Sequence, residues 1–315
     1  MKKIYFGVLL AVLVFGVTET QGILKSERPK RSFLIGISPW LVPQYDNNVQ
    51  GFKDALAEGG FIEGKNVRFI EQNPQGDVQK QQEIIRSFIN SKVDLIYVLT
   101  APGAKIAQSL TKEIPIVFSL VQFPVEDGLV NSLEDSGNNL TGTRHYVPAA
   151  KQFFAFERVV PYIEKMAFVH EKGDVDSRQE LKEFEGLLSQ RDIKVIDVPA
   201  SDLDDLKEKL NKQKDAFDSL YLACDPFVSN GADKVAITFA QENHKPDFAC
   251  SLDETLNGAL VGNVVNFYNV GKMSGKKAAL ILMGARPRWI RTQAPEESFV
   301  VINKKSAKEL GIELP

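Results

Sequence analysis

Cysteine and histidine are scarce in this chain, two of the first and three of the second in 315 residues. Cys224, Cys250, His145, His170 and His244 show no close His/Cys spacing, so no structural zinc site, and no metal at all, is expected. The G-x-S-x-G elbow, the G-x-x-x-x-G-K-[ST] phosphate loop and the H-E-x-x-H pair are all missing, and no G-x-G-x-x-G follows an apolar strand. A basic stripe is missing too. Lys and Arg number 38 against 41 Asp and Glu, a formal net charge of −3, so nucleic acid is not an expected partner. No catalytic residue and no cofactor are expected.

What is present begins with a leader. "MKKIYFGVLLAVLVFGVTETQG" places Lys2 and Lys3 before an uncharged run from Ile4 to Val17, then small residues to Gly22. This is the pattern of a secretory signal peptide over 1–22, with an uncleaved anchor as the alternative. The apolar run is short of the ~20 residues a membrane span needs. No cysteine stands at its end to take a lipid. Removing Lys2, Lys3 and Glu19 moves the net charge from −3 to −4. A soluble, exported protein is the expectation. In an oxidising compartment, Cys224 and Cys250 have the option of one disulfide, which a chain this long does not need for stability.

From Phe33 onward short apolar runs alternate with amphipathic stretches. "SFLIGIS" (32–38), "NVRFIEQ" (66–72), "VDLIYVLT" (93–100) and "IPIVFSL" (114–120) read as strands. Residues 46–60, 76–91 (Asp77 as N-cap) and "AKIAQSL" read as the helices between them. The rhythm restarts after "TGTRHYVP", with strands at 165–171, 193–200, 218–225 and 246–251 and a Ser201/Asp204 capping-box variant opening the helix after 200. Strand–helix alternation argues for parallel sheets with right-handed crossovers. The fold class is therefore α/β, two Rossmann-like lobes with parallel central sheets and a ligand cleft between them. Ligands in such sheets bind beyond the carboxyl ends of the strands. That rule places "LTAPGAK", "SLVQFP", "ACDPFVSNG" and "ACSLDET" at the working edge.

The first of these stretches is the most informative. "VDLIYVLTAPGAKIAQSL" (93–110) runs from a strand ending on Thr100, through Ala101-Pro102-Gly103, into a helix. Unpaired N–H groups at Gly103–Lys105, the Thr100 hydroxyl and the bare Gly103 backbone suit a carboxylate or another anion. A tight strand–helix connector is the competing reading.

Taken in order, "GFKDALAEGGFIEGKNV" (51–67), "QNPQGD" (72–77), "VDLIYVLTAPGAK" (93–105), "IPIVFSLVQFPVEDGLVNSLEDSGNNLTG" (114–142), "GALVGNVVNFYNVGKMSGKKAALILMGARP" (258–287) and "VINKKSAKELGIELP" resemble the ABC-transporter solute-binding proteins that include the tryptophan- and tyrosine-type binders. The resemblance spans residues 33–315. It implies a type I periplasmic-binding-protein fold, with one lobe from 33–144 plus 257–287 and the other from 145–256 plus 288–315. It implies a monomer that captures a small-molecule ligand, an amino acid or organic carboxylate, by lobe closure. Delivery to an inner-membrane ABC permease with a cytoplasmic ATPase is implied as well.

The resemblance further implies that Thr100, Pro102, Gly103 and Ala104 receive a ligand carboxylate. Ser38 at the end of the first strand, Trp40 and Tyr45 after it, Gln122 in "SLVQFP", and Tyr268 in "VNFYNVG" fall near the cleft. Asp225 and Asp253 match acidic family positions able to hold an ammonium. Arg144 and His145 stand where relatives carry Ser-Asp, and Arg144 facing the cleft would favour a carboxylate or phosphate. Solvent exposure of Arg144 is the alternative. Cys224 and Cys250 replace Thr or Ser at strand ends, where their proximity is left open. Two other functions stay on the table, a ligand-sensing module for a membrane receptor and an exported hydrolase.

Overall fold

The computed structural model describes residues 31–41 and 45–314, and the leader expected over 1–22 lies outside them. Two sheets carry the fold. The first has the order β2-β1-β3-β4-β5 and is parallel throughout. Its strands are β1 (Phe33–Ser38), β2 (Val67–Glu71), β3 (Leu95–Leu99), β4 (Ile116–Val121) and β5 (Leu140–Arg144). Helices α1 (Asp46–Glu58), α2 (Val78–Asn90) and α3 (Thr100–Leu110) connect them. β3 and β4 are buried at every residue, as strands covered by helices on both faces must be. Asp77 caps α2 as expected, accepting from Lys80 N at 2.9 Å.

The second sheet contains β6 (Lys165–Glu171), β7 (Lys194–Ala200), β8 (Ser219–Leu222), β9 (Asp247–Ala249), β10 (Val261–Val264) and β11 (Phe299–Ile302) in the order β11-β10-β9-β8-β6-β7. Only β11 runs antiparallel to its neighbour. Around it lie α4 (Ala149–Glu157), α5 (Val175–Leu188), α6 (Leu203–Lys212), α7 (Asp233–Glu242) and α8 (Leu252–Asn257), with α10 (Lys304–Glu309) after β11. The α6 cap is Asp202 rather than Ser201. Its carboxylate accepts from Asp204 N and Asp205 N, while the Asp205 side chain reaches back to Ser201 N. The cap sits one residue later than the sequence pattern suggested, because the aspartate is the stronger acceptor, and the returning Asp205 bond goes to the residue before the cap rather than to the cap itself.

Three connections cross between the sheets, and they shift the expected lobe boundaries. β5 leads to α4 through 145–148. Residues 257–264, expected with the first lobe, carry β10 into the second sheet. The chain then returns through α9 (Phe267–Leu282), which lies along α1. Residues 288–293, expected with the second lobe, run beside β5. Thr141 Oγ1 donates to Ile290 O (2.7 Å), Arg144 N to Gln293 O (2.7 Å) and Thr292 N to Leu133 O (2.7 Å). Lys277, 5% exposed, fixes this strip by donating from Nζ to Gln293 Oε1 (3.2 Å) and to Arg291 O. Burial and the nearby Arg291 push the Lys277 ammonium down to about 8.

Candidate ligand cleft between the lobes

Strand order reverses between β1 and β3 in the first sheet and between β6 and β8 in the second. Open α/β sheets offer a crevice at such points, beyond the carboxyl ends of the strands. A cavity lies there. From the first lobe come Thr100, Ala101 and Pro102 after β3, Leu120 and Gln122 at the end of β4, and the ring of Tyr45. His145 and Phe267 line it from two of the crossings. The second lobe contributes Asp174 and Asp176 after β6, Cys224, Asp225, Pro226 and Ser229 after β8, and Cys250 and Ser251 after β9.

Two lining residues hold backbones that L-residues rarely adopt. Thr100 has φ +65° and Leu120 φ +58°, and neither is a glycine. Such residues cost on the order of 1–3 kcal/mol each and collect at ligand sites. At Leu120 the β4–β5 register slips, so the bulge turns the end of β4 toward the cavity. Thr100 opens α3 directly, with Leu99 as its N-cap, so the helix begins before the Gly103–Lys105 terminus expected from the sequence. Buried polar atoms normally find partners. Thr100 Oγ1 and Gln122 Oε1 are buried and have none among the described residues.

The second-lobe wall is acidic. Asp225 is pushed up to about 6 by burial, though its oxygens accept from Val228 N (2.7 Å), Glu171 N (2.8 Å) and Ser177 Oγ (2.8 Å). Asp174 caps α5 by accepting from Ser177 N at 2.8 Å. Asp176 accepts from Phe123 N of the opposite lobe at 3.1 Å. Burial, followed by the charges of Asp127 and Asp174, pushes Asp176 up to about 8. Behind this wall, Glu180 is buried against Tyr221 Oη and Cys224 N and is pushed up to about 7 by burial. His145 is pushed down to about 4 by burial, so its ring is neutral near pH 7 and sits edge-on to Phe267 with centroids 5.2 Å apart.

Of the residues singled out in the sequence, Tyr45, Thr100, Pro102, Gln122, His145 and Asp225 come together around this cavity. Trp40 and Ser38 lie behind it. Ser38 Oγ donates to Gln81 Oε1 (2.7 Å), and the Trp40 ring packs near Gly103. A Cβ on Gly103 would meet only ordinary contacts with Gln81, Trp40 and Val98, so this glycine faces the protein rather than a ligand. Ala104 is buried in the first-lobe core. Arg144 does not line the cavity. Its Nε donates to Gln122 O (2.7 Å) and its guanidinium lies 4.0 Å from the Tyr146 ring centroid, among Glu126, Glu183 and Asp176. Asp253 and Tyr268 line a neighbouring cavity instead, and Tyr268 Oη donates to Asp54 Oδ2 (2.8 Å).

Sequence reasoning passed over Asp174, Asp176 and Phe267, while Leu120 and Ser251 lie in segments it placed at the working edge without naming them. The acidic pair had a usable signal, because "EKGDVDS" (171–177) follows a strand just as the other edge segments do. Cys224 and Cys250 were flagged as strand ends but not as lining. They are joined in a disulfide with Cα atoms 5.6 Å apart, which leaves no free cysteine among the described residues.

Two sheets flanking a cleft lined from both sides define a bilobal binding protein of the type I periplasmic-binding-protein class. The chain belongs to the ABC transporter substrate binding protein family, whose model matches residues 39–315. It is 28% identical over 319 residues to a tyrosine-binding protein of Clostridioides difficile (strain R20291), covering 99% of this chain and 92% of that one. A solved conserved domain protein from Vibrio cholerae superposes with a TM-score of 0.84 at 27% identity, covering 90% of this chain and 96% of that one. An ABC domain in complex with L-Trp from Streptococcus pneumoniae also reaches 0.84, with the same coverage; its 23% identity speaks to the fold alone. The family is one of substrate-binding proteins rather than enzymes. Among the described residues no helix is long and apolar enough to cross a membrane.

Proposed function

We propose that this chain is the periplasmic solute-capturing component of an ABC importer. It holds a small organic solute, an amino acid or organic carboxylate, between its lobes and presents the closed form to a permease coupled to a cytoplasmic ATPase. One observation carries the reading. In a cavity bounded by both lobes, Thr100 Oγ1 and Gln122 Oε1 are buried without partners, an arrangement that costs stability unless a ligand completes it. Closure then follows from the ligand's better contacts in the closed form. Family membership and the tyrosine-binding relative support the solute class. An N-terminal leader removed on export fits the same reading.

A thermal-shift screen of the chain without residues 1–22, against amino acids, keto acids, dicarboxylates and purines, tests it. A ligand at a hundredfold its dissociation constant adds about 2.7 kcal/mol, a plain rise in Tm. No response to any small solute would count against the reading.

A further inference from the structure

Charge in the cleft is one-sided. Among the described residues the cavity is lined by Asp174, Asp176 and Asp225 and by no lysine or arginine. Asp225 is already satisfied by three donors. Asp174 Oδ1 is engaged by Ser177 N and Oγ at the head of α5. Asp176 has one donor, Phe123 N. Otherwise it faces carboxyl groups, lying in the field of Asp127 and Asp174. The cations nearby are committed elsewhere. Lys105 Nζ pairs with Asp127, and Arg144 is turned onto Tyr146 with its Nε on the Gln122 carbonyl.

The same cavity also contains Gln122 Oε1, an acceptor on a side chain 3% exposed and without a partner. Acceptors gathered around a cavity that offers them few donors suit a cationic donor. The other wall has the opposite character, with the buried Thr100 hydroxyl and the positive end of α3, whose first turn has no side-chain cap.

Resting on the solute reading above, we infer that Asp176 selects for a ligand ammonium group, sharing it with Gln122 Oε1, while Thr100 and the head of α3 take the ligand's carboxylate. Asp176 thereby joins two events. Its carboxylate reads the amine and also accepts from the opposite lobe at Phe123 N, so a bound ammonium keeps ionised the side chain that ties the lobes together. The upward push that burial and its acidic neighbours exert on Asp176 is what an adjacent ammonium relieves.

Calorimetry on the wild type and on Asp176→Asn tests this with the proteinogenic L-amino acids and, for each that binds, its desamino acid; L-tryptophan against 3-indolepropionate is one such pair. Asparagine keeps an acceptor for Phe123 N, and thermal melts of the unliganded variant verify its fold. The wild type is expected to prefer the amine-bearing member by about tenfold or more, as for a charged hydrogen bond gained, and Asp176→Asn to erase that preference. Asp176→Glu, which keeps the charge, is expected to retain part of it. Equal binding of the two members by the wild type, or an unchanged preference in Asp176→Asn, overturns the inference and leaves the solute reading standing. Binding of neither set tells against both.

Discussion

The carbonyl oxygen of Asn48 stands where a side chain on Gly271 would have to go. A Cβ at Gly271 would lie 1.9 Å from it, and Gly51 and Gly275 meet backbone of the facing helix almost as closely. Helices α1 and α9 therefore touch backbone to backbone, which only residues without side chains allow. The contact anchors the returning crossing to the first lobe. Asn48 reinforces it, donating to Ser119 Oγ (3.1 Å) and Phe267 O (3.0 Å) while Tyr97 Oη donates to its Oδ1. Replacing Gly271 by Ala should thus cost at least the roughly 1–3 kcal/mol typical of overpacking. Urea denaturation checks this; an unchanged midpoint would mean that the helices part at no cost.

Thr100 makes the opposite case, a residue whose local geometry is unfavourable and whose use is in binding. A β-branched side chain at φ +65° is strained, and its hydroxyl is buried without a partner. Thr100→Gly should relieve both. Against it stands the extra chain entropy of glycine, about 0.5–1 kcal/mol, so a net gain of about 1 kcal/mol in stability is expected. Ligand affinity should fall in the same variant. Paired denaturation and calorimetry measure the two changes, and a variant losing both stability and affinity would argue that Thr100 is part of the core.

How much of this was legible beforehand divides along physical lines. The passage from β3 into a helix was legible in an apolar run followed by small residues. Its place was not, because the Thr100-Ala101-Pro102-Gly103 stretch read as a strand end and turn is already the first turn of α3. The alternation of strands and helices gave the two sheets, since hydrophobic period follows backbone period. Where side chains point beyond a strand end was not legible. Arg144 stood one residue before His145 at the same edge, yet one faces Tyr146 and the other the cavity. The assignment of β10 to the second sheet was hidden too, because "LVGNVV" would suit either sheet and its neighbours decide.

The disulfide between Cys224 and Cys250 ties the ends of β8 and β9 together within the cavity wall. Thiol titration of the unreduced, denatured chain should find no free thiol. The paired Cys224→Ser and Cys250→Ser substitutions, which open a loop with a sequence separation of 26, should cost about 2–4 kcal/mol. Affinity should drop as well, because the bridged residues shape the ligand wall. Full affinity in the double variant would show the bridge to be a fastening only.

Stability should decline with rising pH across neutrality, and Glu254 is one source. It is 1% exposed inside the Ser251 capping box, and burial pushes it up to about 8. Its folded-state value thus lies above the ~4.3 of an unfolded glutamate, so the folded chain binds the extra proton between those values. The contribution is therefore fully present below about pH 4 and is lost as pH rises toward 8. Asp247 and Glu180, both pushed up to about 7 by burial, act in the same direction. His145 opposes them between about pH 4 and 6.5, where the unfolded chain takes up the proton that the buried imidazole refuses. Glu254→Gln keeps the shape and removes the titration, so its stability should fall less steeply than the wild type's between pH 5 and 8. Urea midpoints at several pH values measure the two slopes. Identical slopes would mean that Glu254 is ionised in the fold and that its proton plays no part.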